Sequence, residues 1–521
     1  MGRGLSVSVL FLVLATACGG RDASWDAPMV LDSPLRSVGV SQAVVIADPA
    51  LDRVLLLKAD DAQSLRVSPV TVGKSLRSLV RVPGQERVLA LSRGVQPRQS
   101  ASDEKPSLSV LSPSSASPMV ARYELEPGFE QMNVDPQGQW VVLTGDGNGQ
   151  SGINNPNELI LIDITDSRFE PIRKTLASFG SQPLRYTFTT ELQFPNGSSG
   201  RLLLIETERD LKVLNLADPS SNEITVQFQR TQANQVAKPA GLSYHDGSPA
   251  LNDDARIAVR FEGQSDVILI EMLADAERPF KLLPQLVDAG GVPSALEIVQ
   301  TDEGIRLAAL LPASSQVVLI DPATTLGQVI DLPAGYSQFT RVTADGAVTG
   351  DEALLWGENV PSIAFWSLGE IGQQAFRSVE ILELQVGVGG VLQMTNDTRR
   401  RLLKTSSGGQ FFVLDLDRRQ AFPMDTQFGN VQLRLSPDGS RAWAFAPGSF
   451  EFGLVDLQSM HVTSVRTDLS PDDLYEIEGR GNRRVAIALH VRGGLGATLL
   501  EGEEPDGTAS RFYGNLLLEG L

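Results

Sequence analysis

Met132-Asn133-Val134-Asp135-Pro136-Gln137-Gly138-Gln139-Trp140-Val141-Val142-Leu143 reads as two short strands joined by a tight turn. Pro136 fixes φ, and Gly138 tolerates the positive φ that closes the turn. The flanking residues are apolar and β-favouring over strand length, so the stretch is a β-hairpin. Further along, Leu159-Ile160-Leu161-Ile162-Asp163 supplies a third apolar strand ending on an acidic residue, and a more polar fourth strand follows.

The same pattern recurs. Leu433-Arg434-Leu435-Ser436-Pro437-Asp438-Gly439-Ser440-Arg441-Ala442-Trp443-Ala444 is a second clear hairpin, followed by Gly453-Leu454-Val455-Asp456. Looser copies turn at Phe194-Pro195-Asn196-Gly197 before Leu202 to Ile205, at Thr301-Asp302-Glu303-Gly304 before Leu307 to Leu310, and at Thr395-Asn396-Asp397-Thr398 before Leu402. Their third strands are Val213 to Leu216, Val317 to Asp321 and Phe411 to Asp415. Further units start near Ala43, Leu79, Leu242, Phe339 and Leu474. This makes about ten units, at a spacing of roughly 45 to 50 residues.

One four-stranded sheet does not bury both faces alone, so such units stack around an axis and share a core. The expected fold is therefore all-β, a β-propeller of about ten four-stranded repeats, as one large ring or as fewer blades with insertions. The turn Ser436-Pro437-Asp438-Gly439 resembles the recurring turn of YVTN-type and WD-like propeller repeats, and Val134 to Gly138 is similar to it. Helical periodicity is scarce, and 48 Gly and 30 Pro punctuate the chain. A β-sandwich does not repeat its strands in fours over this length. Phe512 to Leu518 is expected to pair with the first blade and close the ring, which removes exposed sheet edges.

The amino terminus carries a different signal. Arg3 precedes a run from Leu5 to Leu14 that includes Val7, Val9, Leu10, Phe11, Leu12 and Val13. That run is too short to span a bilayer, which takes roughly 20 residues, and it fits the apolar region of a secretory signal. Ala15, Thr16 and Ala17 are small, and the chain's single cysteine follows at Cys18. This resembles the lipobox of bacterial lipoproteins. The resemblance implies residues 1–17 as a cleaved signal peptide and Cys18 as the site of lipid attachment. Residues 18–38, with Asp, Ser, Pro and Arg and no clean periodicity, read as the lipidated cysteine and a flexible tether, and the repeats assign 39–521 to the propeller. Gly19 stands where an Asp would retain the protein on the inner membrane, which favours the outer membrane.

Composition narrows the chemistry. The 521 residues include 63 acidic and 44 basic side chains, a net charge of −19, which argues against nucleic acid as a partner. One cysteine permits neither an internal disulfide nor a thiolate metal cluster, and three histidines leave little for a multi-His site. His245-Asp246-Gly247 offers a base beside a carboxylate, although neighbours on a strand point apart and Asp-Gly is ordinary turn chemistry. His461 and His490 stand alone in strand-like stretches. Gly145 to Gly152 alternates oxygen side chains like a calcium loop, but Ser151 and Asn157 occupy the places where Gly and a bidentate Glu belong, with Glu158 one residue beyond. Gly387-Val388-Gly389-Gly390 lacks the Lys-Ser/Thr of a phosphate loop. The stretch from Pro97 to Lys105 reads as a solvated insertion. Trp140, Trp356, Trp366 and Trp443 fall within strands and are expected to pack between blades.

No cofactor, metal or catalytic residue is therefore expected. The leading expectation is a non-enzymatic, lipid-anchored envelope scaffold that binds an envelope or surface protein. In architecture this is similar to the lipid-anchored propellers that serve outer-membrane assembly machinery. The alternative is a secreted propeller hydrolase or lactonase with carboxylates converging on the central channel. Quinoprotein dehydrogenases share the fold, but their vicinal cysteine pair is missing here.

Overall fold

The computed structural model describes residues 35–145, 155–177, 182–228, 237–247, 254–301, 304–342, 352–368, 379–394, 397–406, 410–425, 431–491, 495–503, 505 and 510–518. The chain is an all-β β-propeller of ten four-stranded antiparallel blades. Blades 1 to 10 span 37–71, 76–124, 131–175, 183–227, 239–288, 295–331, 338–383, 388–425, 432–466 and 473–513. Nine of them place their strands in chain order. Blade 4 differs, because a two-stranded ribbon, Leu192–Gln193 with Ser199–Gly200, is inserted between its first strand, Pro183–Phe188, and its second, Leu202–Thr207. The turn at Phe194 to Gly197 closes this ribbon, so it is not the repeat's own hairpin turn.

The hairpins form for the reasons their turn residues suggest. Gly138 and Gly439 have φ of 72° and 69°, left-handed values that other residues adopt at a cost. The acidic residue ending the third strand also has a local task. Asp163, Asp321, Asp415 and Asp456 each accept a backbone N–H two residues on, at 2.8 to 3.1 Å, and so shape the turn into the fourth strand.

Two compact units divide the chain: Met1–Arg81 with Gln85–Leu125 and Thr467–Leu521, and Val82–Gly84 with Glu126–Arg466. The first holds blades 1, 2 and 10. Val44, Ile46, Leu55 and Leu57 of blade 1 pack against Ile477, Val485, Ile487 and Leu499 of blade 10. Tyr475 lies across Gly39, where a Cβ would stand 2.4 Å from its ring, and its hydroxyl donates to Ser37 O at 2.9 Å. Arg53 binds Asp48 at 2.8 Å and donates to Leu517 O at 2.5 Å. The expected closing strand behaves otherwise: Arg511–Tyr513 pairs with Gly496–Glu501 of its own blade, and Leu516–Leu518 is a 3-10 turn. Among the described residues blades 10 and 1 share no ladder; they join through side chains, including Tyr513 Oη donating to Gln63 O at 2.7 Å, and through the backbone bond from Glu478 N to Ser41 O at 2.6 Å.

The second unit holds blades 3 to 9. Second and third strands are buried along their lengths, as in Trp140–Thr144, and apolar clusters fill the space between consecutive blades. Trp140 packs edge-on to Phe169 at 5.6 Å and joins Leu203 and Ile205 of the next blade. Trp366 does the same between blades 6 and 7, and Trp443 is fully buried. Asp135 and Arg201 tie blades 3 and 4 through two hydrogen bonds of 2.8 and 2.5 Å.

Candidate functional site

Cys18 and the signal lie outside the described residues, as do Asp146 to Gly152 of the oxygen-rich loop. Glu158 is bound to Arg173 at 2.7 Å. His245 ends the first strand of blade 5 and is buried, with Nδ1 4.0 Å from Asp246 Oδ1. Asp246 is itself anchored, its backbone O accepting Gln193 N at 2.8 Å and its Oδ2 accepting Thr190 Oγ1 at 3.3 Å. Asp246 thus helps seat the inserted ribbon. His490 uses both ring nitrogens, on Ser470 O at 2.9 Å and Thr498 Oγ1 at 2.8 Å, and burial lowers its pKa. His461 is exposed. A Cβ on Gly387 would stand 1.8 Å from Glu358 O, so this glycine permits close packing of blade 8 on blade 7. Among the described residues, no three His, Cys, Asp or Glu side chains are placed to share a metal ion.

What composition and motif did not reveal is a polar row along the innermost strands of blades 4 to 7. Arg185, on the first strand of blade 4, faces Glu206 on the second and binds it at 3.0 Å. Arg185 Nη1 also donates to Ala240 O of blade 5 at 2.8 Å. In blade 5, Gly241 pairs with Arg260, whose guanidinium lies over the bare glycine. Beyond it, Ser243 donates to Glu297 of blade 6 at 2.9 Å while accepting Ile298 N at 3.2 Å, and Arg341 of blade 7 is the cation nearest in effect to Glu297. The charges alternate around the strands, each carboxylate held between basic or hydroxyl groups.

Burial governs the electrostatics of this row. It raises the carboxyls of Glu206 and Glu297 above their ordinary value of 4.5, outweighing the pull of Arg185 on one and of Ser243 and Arg341 on the other. A carboxyl whose folded pKa lies above its unfolded one is best accommodated neutral. Its cost is absent below 4.5 and fully present once pH exceeds the folded value. The expected outcome is that Glu297→Gln, measured by thermal unfolding, gains Tm relative to the unsubstituted protein as pH rises from about 4 to about 8. A difference that is flat or falls with pH would contradict this assignment.

A second feature lies on the opposite edge of the blades. The fourth strands of blades 5, 6 and 7 are Lys281–Asp288, Gly327–Asp331 and Val379–Glu383, and among the described residues each pairs only with its third strand. They were expected to be polar, yet Leu283, Leu286, Val329 and Ile381 stand between 40% and 49% exposed, and Leu326, just before the strand of blade 6, is 72% exposed. Pro284 blunts the edge of blade 5, as Pro69 and Pro423 do in blades 1 and 8. The edges of blades 6 and 7 carry neither Pro nor Lys. Asp331 and Glu383 flank the apolar side chains and are exposed.

No protein-family model and no curated protein matches the chain. Several solved structures are similar to it. Dihydro-heme d1 dehydrogenase NirN in complex with DHE is 11% identical, over 88% of this chain and 83% of that one, with a TM-score of 0.42. Apo AztD from Citrobacter koseri is 11% identical over 86% and 98%, with a TM-score of 0.35. A streptogramin B lyase is 10% identical over 61% and 89%, also at 0.35. The fold itself follows from this chain's own strand pairing.

Proposed function

We propose that the protein is a non-enzymatic envelope scaffold, anchored by lipid on Cys18, that docks another envelope protein along the outer edges of blades 5 to 7. The observation that carries this reading is the apolar strand edge of blades 6 and 7, without Pro or Lys, where Val329 and Ile381 are exposed beside an outer strand that pairs on one side among the described residues. Sheet edges of this kind are normally protected by Pro, Lys or short length, because they invite pairing with another chain. An incoming extended segment gains backbone hydrogen bonds from the edge of blade 6 or 7 and buries alternate side chains against Val329 or Ile381, while Leu283 on the Pro-blunted edge of blade 5 offers apolar contact only. The flanking carboxylates favour a segment with Lys or Arg at its ends.

The anchor follows from the lone cysteine's place behind small residues and an apolar run. Two or three acyl chains hold a protein on a bilayer stably, where one chain binds only marginally. Cys18→Ser is therefore expected to move the protein from the membrane fraction to the soluble fraction on envelope fractionation. Persistence in the membrane would remove the anchor from the proposal. The scaffold role is tested by capture from cross-linked envelopes, where one protein partner is expected to co-purify reproducibly with the tagged full chain. Repeated capture with no protein partner would count against it.

A further inference from the structure

We propose that Arg260, lying on Gly241 beside Arg185, is the core of a carboxylate-binding site on the inner strands of blades 4 and 5. Arg260 is half-buried, and among the described residues it makes one hydrogen bond, Nη1 to Pro293 O at 3.4 Å, and no ion pair. A bond of that length is at the limit of the interaction. A half-buried guanidinium with one long hydrogen bond has donors to spare, and arginines in such places commonly serve two or more acceptors.

The surroundings are arranged to keep Arg260 where it is. A Cβ at position 241 would stand 2.7 Å from its Nε and 3.3 Å from its Nη2, so any other residue there would displace the side chain. Glycine lets the guanidinium lie across the first strand of blade 5, leaving its Nε and Nη2 without a protein acceptor among the described residues. That edge presents two parallel N–H donors, the geometry that receives both oxygens of a carboxylate. Arg185 is close enough to repel Arg260, and one carboxylate, Glu206, serves both. Arg185 pairs with Glu206, which leaves Arg260 as the one guanidinium of the two without an ion pair among the described residues. A monoanionic carboxylate balances it, whereas a dianionic phosphate would overcompensate next to Glu206. Arg185 is already engaged with Glu206 and Ala240, so its role is to add field, and Arg260 provides the contact.

The test uses the full chain and acetate, at constant ionic strength with chloride exchanged out, read by saturation-transfer NMR and by the acetate-dependent rise in Tm. Acetate is expected to bind alike the unsubstituted protein and Arg466→Gln, an exposed arginine on the fourth strand of blade 9. Arg260→Gln is expected to weaken it about tenfold or more, as for loss of a charge-assisted bidentate contact. Gly241→Ala, which keeps both arginines but fills the floor, is expected to weaken binding as well. Each variant is compared with itself with and without acetate, so a change in intrinsic stability does not enter. Phosphate binding more tightly than acetate, or equal acetate affinity in Arg260→Gln, would overturn the proposal. Because the site lies on the inner strands, either result leaves the docking of a partner on the outer edges of blades 5 to 7 to be judged separately.

Discussion

Asp135→Ala is expected to destabilise the second unit by about 3–5 kcal/mol, the usual cost of leaving a buried charge without its partner. Asp135 is fully buried and serves five donors. Its carboxylate accepts Gln137 N at 3.0 Å, Gln139 N at 3.2 Å and Trp140 N at 3.3 Å, which shape the turn of blade 3. It also accepts both terminal nitrogens of Arg201 from blade 4. Truncation strands three backbone donors and leaves Arg201 with Thr189 O alone. Asp135→Asn keeps an acceptor for the turn but not the charge, and should fall between.

The same site has a defined pH dependence. Burial pushes the Asp135 carboxyl up, but Arg201 and the N–H groups of Gln137 and Gln139 outweigh it and hold the group below its ordinary 3.8. A depressed carboxyl contributes stability above its unfolded value and loses it as pH falls through the folded one. The penalty of Asp135→Ala, followed by denaturant unfolding, should therefore be full at neutral pH and shrink below about pH 3.8. Adding Arg201→Met to Asp135→Ala should recover part of the loss, because the uncompensated cation is then gone. A loss under about 1 kcal/mol, or one independent of pH, would mean that the pair is ornamental.

Why the fold was legible follows from where its information sits. Gly138, Gly439 and the aspartates that end the third strands act on their own neighbours within a few residues, so the hairpins can be read locally. Ten such hairpins at a regular spacing then dictate ten blades. The same locality explains the misreading at Phe194 to Gly197. The turn is real, but nothing near it reveals that it belongs to an inserted ribbon seated on Asp246 of the next blade. Closure was misplaced for a related reason. Tyr475 meets Gly39 and Ser37, and Arg53 meets Leu517, across more than 430 residues of chain, and strand composition does not report such contacts.

The polar row was hidden because its members come from four blades. Arg185, Glu206, Arg260 and Glu297 are unremarkable singly, and only the register that sets Gly241 opposite Arg260 brings out the bare floor. A glycine inside a strand, facing an arginine on its partner, is the one local trace. The apolar edge was more accessible. Val329 and Ile381 break the expectation that fourth strands are polar, and the lack of Pro in blades 6 and 7 could have been compared with Pro69, Pro284 and Pro423.

Introducing Leu283→Lys, Val329→Lys and Ile381→Lys together is expected to weaken partner binding by about a hundredfold or more, since each removes apolar contact and sets a desolvation cost against the incoming chain. All three side chains are exposed, so stability should shift little, and unchanged thermal unfolding would show the loss to be one of recognition. The Lys ammoniums also reverse the local acidic charge and would repel a partner segment carrying basic ends.

The most direct measurement places a photo-reactive side chain at Val329 or Ile381 in the anchored protein and irradiates intact envelopes, with Arg466 on the fourth strand of blade 9 as the control position. One adduct of defined mass, formed at Val329 and Ile381 and missing at Arg466, is the predicted result. The same adducts from all three positions, or none from Val329 and Ile381, would contradict a docking edge on blades 6 and 7.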